Sequence, residues 1–192
     1  MRSGIKMVEK QLLVITGATG SGKTTVSHWL TEMYQIPQVV THTTRPKRHN
    51  EVDSVDYYFE TESSLAQKHL IESVTYSGYH YGSSHEALEL AWAKSPLISL
   101  VVDTKGAQTY LETFGKQVTV LFLTVSEATA LISRLEKRND SPEAIQKRLA
   151  SAEFKRDLMV SGPLHDQAQI IVNDDWQETQ KTLMTIIEQL RQ

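Results

Sequence analysis

The sequence predicts an α/β fold, a parallel sheet covered by helices on both faces, together with an inserted substrate-facing subdomain. Two observations carry this. Short apolar runs that do not alternate with polar residues recur along the chain beside segments of helix-like pattern, as strands buried on both sides require. The interval from about Thr41 to Gly82 breaks that rhythm: it is rich in Thr, Arg, Tyr and Ser, carries short alternating pieces such as SVDYYFE, and reads as the insert.

The elements follow in order. Gln11 to Thr16 (QLLVIT) is an apolar run bounded by Gly17, hence a strand, and from Lys23 to Tyr34 the residues Val26, Trp29, Leu30 and Met33 recur at helical spacing. Further strands are expected at Gln38 to Val40, Leu97 to Val102, Val118 to Leu123 and Gln169 to Val172. Further helices are expected at Ser83 to Lys94, Lys105 to Thr113, Glu127 to Lys137, Glu143 to Met159 and Trp176 to Arg191. No tandem repeat, low-complexity stretch or Pro/Gly/Ser linker divides the chain, so one domain is expected.

Composition narrows the function. A chain of 192 residues buries enough apolar surface to fold without staples, and the absence of Cys removes disulfides and thiolate zinc sites together. The longest apolar run, Leu97 to Val102, ends at Asp103 and is far short of a membrane span. Lys and Glu near the N-terminus interrupt any signal-peptide centre, so the cytoplasm is the expected compartment. A net charge of −3 argues against general nucleic-acid binding, which needs a basic excess. Any anion site must therefore be local. The seven histidines show no metal-like pairing, and Trp29, Trp92 and Trp176 read as packing residues on helices.

Residues Gly17 to Thr24 read GATGSGKT and fit GxxxxGK[ST] between a strand and a helix, as a P-loop requires. Glycines 17, 20 and 22 let the backbone wrap a phosphate, with consecutive N–H groups and the positive end of the helix directed at the anion. Lys23 reaches the β and γ phosphates, and the Thr24 hydroxyl can ligand Mg²⁺. The sheet is thereby of the P-loop NTPase type, and ATP binding falls to Gly17, Ala18, Thr19, Gly20, Ser21, Gly22, Lys23, Thr24 and Thr25.

The acceptor is argued from the insert. THTTRPKR (Thr41 to Arg48) places two arginines three apart beside a Pro that disfavours helix, an arrangement suited to a dianionic phosphate though equally to a solvated basic turn. Tyr57 and Tyr81 add phenols able to donate to phosphate, and Glu72 is an acid within the otherwise apolar or neutral run HLIESVTY. A carboxylate accepts two parallel N–H bonds from one edge of guanine, a pair that adenine does not offer. The acceptor reads as a nucleotide, with guanine favoured.

These residues bring a family into view. The P-loop, TTRPKRHNEVDSVDYYF, IE at 71 to 72, GYHYGSS at 78 to 84, DTKGA at 103 to 107, RLEKR at 134 to 138, IQKRL at 145 to 149 and IVNDD at 171 to 175 occur in the order and close to the spacing of guanylate kinases, which the chain resembles over nearly its whole length. The resemblance implies transfer of the γ-phosphoryl group of ATP to GMP, or dGMP, with Mg²⁺. It places the GMP-phosphate ligands at Arg45, Arg48, Tyr57 and Tyr81, and the guanine-reading groups at Thr41, Glu72, Ser83 and Asp103. It places lid arginines at Arg134, Arg138 and Arg148, catalytic together with Lys23, and sets Arg134 and Asn173 beside ATP. It also divides the chain into a core (9–40, 93–133 and 160–192), a GMP-binding insert (41–92) and an Arg-rich lid (134–159), expected to close over both nucleotides and exclude water.

The chain departs from the family pattern at three points. Val101 stands where an acidic residue is usual, the lid between Arg138 and Arg148 is one residue short and contains Pro142, and Lys155 replaces a usual acid. The competing readings are a non-catalytic module that binds a phosphorylated protein segment through the Arg and Tyr pocket, and a P-loop kinase with a changed acceptor. Intact Lys23 and Thr24 speak against the module. A monomer or a homodimer is compatible with the sequence.

Overall fold

The computed structural model describes residues 9–49, 51–76, 78–137, 142–160 and 162–191. In chain order the elements are β1 (Gln11–Thr16), α1 (Lys23–Tyr34), β2 (His42–Thr43), β3 (Tyr58–Phe59), α2 (Glu62–Leu65), β4 (Leu70–Tyr76), β5 (Tyr79–Ser84), α3 (His85–Trp92), β6 (Leu97–Val101), α4 (Thr104–Phe114), β7 (Val118–Thr124), α5 (Ala128–Glu136), α6 (Pro142–Ala150), α7 (Ala152–Asp157), β8 (Ala168–Val172) and α8 (Trp176–Leu190).

Four strands form the predicted parallel sheet in the order β6-β1-β7-β8. Successive residues of a strand point to opposite faces, and here both faces are covered. Leu12 and Val14 of β1 pack with Ile98 and Leu100 of β6 against Ala87 and Leu88 of α3 and Tyr110 of α4. Leu13 and Ile15 pack on the other side with Leu121 and Leu123 of β7, Val26 and Leu30 of α1, and Leu183 and Ile187 of α8. In β1, β6 and β7 the apolar runs do not alternate because neither face meets water; at the sheet edge Ile170 and Val172 of β8 are exposed. No described helix is long and apolar enough to cross a membrane.

A second sheet, β3-β2-β5-β4, occupies the interval read as an insert. Its pairs β2–β5 and β4–β5 are antiparallel and β2–β3 is parallel. His42 anchors it. Its ring is buried, with Nδ1 2.9 Å from Glu60 and Nε2 2.9 Å from the Ser84 hydroxyl, and it stacks on Tyr58. The residues just before and after His42 are thereby held on this sheet.

Several boundaries differ from expectation. Gln38 to Val40 makes only an isolated bridge, Gln38 to Ser99, because Pro37 lacks an N–H to extend the ladder and the chain then leaves for the second sheet. The helix expected from Ser83 starts at His85: Ser83 and Ser84 end β5, and Ser84 caps α3 by accepting from the Ala87 N–H at 3.2 Å. The helix expected over Glu143 to Met159 is two helices. Ser151 takes an extended conformation between them, and its hydroxyl accepts from the Phe154 N–H and donates to the Arg148 carbonyl. Pro142 is the first residue of α6, where its missing N–H costs nothing.

Candidate active site

β1 delivers the chain to a tight turn at the C-terminal edge of the parallel sheet, where ligands of open α/β folds bind. Gly17 has φ 128°, and a Cβ there would lie 2.1 Å from the Leu123 carbonyl oxygen. Gly22, at φ 103°, would meet the Asn173 amide nitrogen at 2.2 Å. Side chains are excluded from both, so the loop can close around an anion. The Lys23 Nζ donates to the carbonyls of Gly17 at 2.7 Å and Ala18 at 3.0 Å and lies across the loop. Thr24 and Thr25 are exposed in the first turn of α1, while Ala18 and Ser21 are buried beneath the loop.

Two side chains predicted to meet ATP support this loop. The Asn173 amide donates to the Ser21 carbonyl at 2.8 Å, and its oxygen accepts from Thr179 at 2.9 Å. Arg134 donates to the carbonyls of Gly20 at 3.3 Å and Asn173 at 2.6 Å. Asn173 is almost wholly buried, so its amide acts on the loop itself. Arg138 lies outside the described residues.

From the loop a cavity of about 310 Å³ runs toward the second sheet, with Gly17, Thr19 and Lys23 at one end and Arg45, Arg48, Tyr57 and Tyr81 at the other. Glu51 arranges the far end. It takes two hydrogen bonds from the Arg45 guanidinium, at 2.7 and 3.0 Å, and one from the Arg48 backbone N–H. Burial opposes the ionised form of Glu51, but these donors prevail and its carboxyl lies below the ordinary range. Arg45 also lies over the Tyr57 ring, and Tyr57 is in edge contact with Tyr81. Sequence reasoning missed Glu51; an acid three residues after Arg48 in the basic turn was the available signal.

Thr41 and Glu72 line the cavity wall. Ser83, fully buried, donates to Glu72 Oε1 at 2.7 Å and accepts from the Tyr110 hydroxyl at 2.8 Å. Burial, reinforced by the nearby Asp103, pushes the Glu72 carboxyl up to about 7 against the Ser83 hydrogen bond. Asp103 caps α4 by accepting from the Gly106 N–H at 2.7 Å.

Val101, Arg148 and Arg156 also line the cavity. Val101 puts an apolar surface where the family pattern has an acid. Arg156 was not anticipated: a continuous helix to Met159 would give it no special direction, whereas the break at Ser151 brings α7 against the start of α4. Its guanidinium donates to Asp103 at 2.6 Å and to Asp157 at 2.9 Å. Of the predicted residues the cavity thus unites Gly17, Thr19, Lys23, Thr41, Arg45, Arg48, Tyr57, Glu72, Tyr81, Asp103 and Arg148.

Comparison with known proteins gives the family and the fold. The family described as guanylate kinase matches residues 9–190. The chain is 34% identical over 183 residues to the guanylate kinase of Thermosynechococcus vestitus, covering 92% of this chain and 93% of that one. It is 33% identical over 186 residues to that of Neisseria gonorrhoeae, covering 94% and 88%. The crystal structure of guanylate kinase from Anaplasma phagocytophilum superposes with a TM-score of 0.67 at 24% identity, covering 95% of this chain and 86% of that one, and shares the fold.

Proposed function

The chain belongs to the guanylate kinase family, and on that premise we propose how its residues carry the γ-phosphoryl group from ATP to GMP, giving ADP and GDP. The observation that carries the reading is the two-ended cavity, with a triphosphate cradle at one end and paired arginines and phenols at the other. Such a space holds two phosphate chains end to end. Phosphoryl transfer asks little covalent chemistry of a protein, so positioning and charge stabilisation supply most of the rate.

At the donor end the P-loop N–H groups and Lys23 bind the ATP phosphates, and Arg134 and Asn173 hold the loop in shape. The family works with a divalent metal, which we read as Mg²⁺ arriving with ATP. Thr24, exposed beside the loop, would offer that ion a hard oxygen ligand. The chemistry it would supply there is neutralisation of phosphate charge.

At the acceptor end Arg45, Arg48, Tyr57 and Tyr81 bind the GMP phosphate, with Glu51 keeping the Arg45 fork open toward it. Ionised Glu72 accepts the two N–H groups of guanine, assisted by Thr41, Ser83 and Asp103. dGMP makes the same base and phosphate contacts and is a substrate on this reading. Arg148, with Arg134 and Arg138, supplies cations to the transferring group from the lid, residues 134–159. Within the insert, 41–92, the α3 residues Ala87 and Leu88 already pack into the main core, so the part able to move ends near Ser84.

Calorimetric titration with adenosine and guanosine joined through a polyphosphate chain tests the reading. One cavity holding both nucleotides predicts binding at least about 100-fold tighter than ATP or GMP alone. Binding no tighter than the better single nucleotide overturns it.

A further inference from the structure

We propose that Arg156 is a positioning residue of the base pocket, holding the Asp103 carboxylate and balancing its charge so that two acids can face one purine. The inference rests on the GMP-binding reading above and assigns a role to a residue outside the motifs that carried it.

The geometry is specific. A Cβ built on Gly106 would lie 3.2 Å from Glu72 Oε2 and 3.3 Å from Asp103 Oδ1, so the two carboxylates flank one point at the start of α4. Asp103 Oδ1 is held by the Gly106 N–H, and Oδ2 takes the Arg156 Nη2 at 2.6 Å. Arg156 Nε donates to Asp157 Oδ1 at 2.9 Å and to the Thr104 hydroxyl at 3.1 Å. The buried Asp157 in turn accepts from the Thr104 backbone and hydroxyl. One guanidinium therefore ties α7 to the α4 N-terminus through Asp103 and the Thr104 hydroxyl, and pairs on its own helix with Asp157.

Balance is needed because both acids are close and partly shielded from water. Among the described residues, Glu72 is faced by Ser83 on β5, itself bonded to Tyr110 on α4, and by Asp103 at the α4 cap. The hydroxyls are neutral and Asp103 is an anion, so the compensating cation reaches Glu72 only through Asp103. Without Arg156 two uncompensated carboxylates face each other, and like charges in one site force one of them to keep its proton. A protonated Glu72 accepts only one guanine N–H. Arg156 thus holds the base-reading acid back from a further rise, so that more of it is ionised near neutral pH, without touching the base.

The test compares Arg156→Ala, Arg156→Gln and Arg156→Lys with the parent protein, measuring kcat and KM for GMP at saturating MgATP from pH 6 to 8.5. Taking the ratio of variant to parent at each pH cancels the titration of GMP itself. The expected result for Ala and Gln is a KM for GMP raised about tenfold near pH 6.5, as an upward shift of about one unit in the carboxyl requires. That ratio falls toward unity at pH 8.5, kcat changes less than threefold, and KM for ATP is unaltered. Lys restores most of the loss. Gln keeps a polar side chain with an N–H donor but no charge, so it remains informative if Ala fails to fold. A KM ratio independent of pH, an equal rise in KM for ATP, or no rescue by Lys overturns the role. Failure of the parent to phosphorylate GMP would instead overturn the functional reading, so the two failures are told apart.

Discussion

Glu72 is asked to be buried and charged at once, and Glu72→Gln measures what that costs. In the free protein the carboxyl is pushed up to about 7 from the ordinary 4.5. An acid whose folded pKa exceeds its unfolded value holds its proton longer when folded, so its burden on stability is absent below pH 4.5 and grows as pH rises. Above pH 7 the burden is constant at about 3 kcal/mol. Gln keeps the shape and still accepts from Ser83, but has no charge to desolvate. For a chain of this size about 2 to 4 °C accompany each kcal/mol, so Tm by scanning calorimetry rises by roughly 6 to 12 °C at pH 8. At pH 5, where Glu72 is mostly protonated when folded, about a quarter of that gain remains. Activity moves the other way: losing a charged acceptor for two N–H groups weakens kcat/KM for GMP by about 10- to 150-fold and narrows the preference over AMP. A Tm unchanged or lowered at pH 8, or a gain that does not shrink at pH 5, refutes the desolvated carboxylate. An unchanged preference for GMP over AMP refutes its part in reading the base.

Four further outcomes follow. Lys23→Ala, removing the cation that lies across the P-loop, lowers kcat at least about 100-fold in steady-state assays while KM for GMP moves less than threefold. Glu51→Gln loosens the Arg45 fork and raises KM for GMP about tenfold with KM for ATP unchanged; equal effects on both substrates would show general destabilisation instead. Ser151→Ala removes the α7 cap and lowers stability by about 1 kcal/mol in urea titrations. Small-angle scattering with the linked adenosine–guanosine compound shows a smaller radius of gyration than the free protein, as closure of the insert and lid over both nucleotides demands; an unchanged profile counts against closure.

Much of this was legible in the sequence, for physical reasons that differ by region. Strands buried on both faces must be continuously apolar, so β1, β6 and β7 declare themselves, the half-exposed edge strand β8 shows as a short apolar run, and a loop that wraps phosphate needs glycine where side chains would collide, as at Gly17 and Gly22. The second sheet was visible only as a departure from rhythm. Strands as short as β2 and β3 carry no periodicity, and their pairing depends on the His42 anchor and on partners distant in the chain. The break between α6 and α7 turns on one serine whose capping hydrogen bond wins over a helical pattern that continues on both sides. Glu51 and Arg156 were missed for a shared reason: each acts on another charged side chain, and such a role depends on three-dimensional neighbours. The departure at Val101 was legible, and the structure puts it on the cavity wall beside Asp103.

Coupled ADP release with MgATP and a panel of GMP, dGMP, AMP, CMP and UMP, with Lys23→Ala as the blank, decides whether the cavity does what its two ends imply. The account predicts rapid turnover with GMP, turnover with dGMP, and rates with the other three near the blank. Turnover with none of the five while ATP and GMP still bind by calorimetry, or equal rates with AMP and GMP, would contradict it.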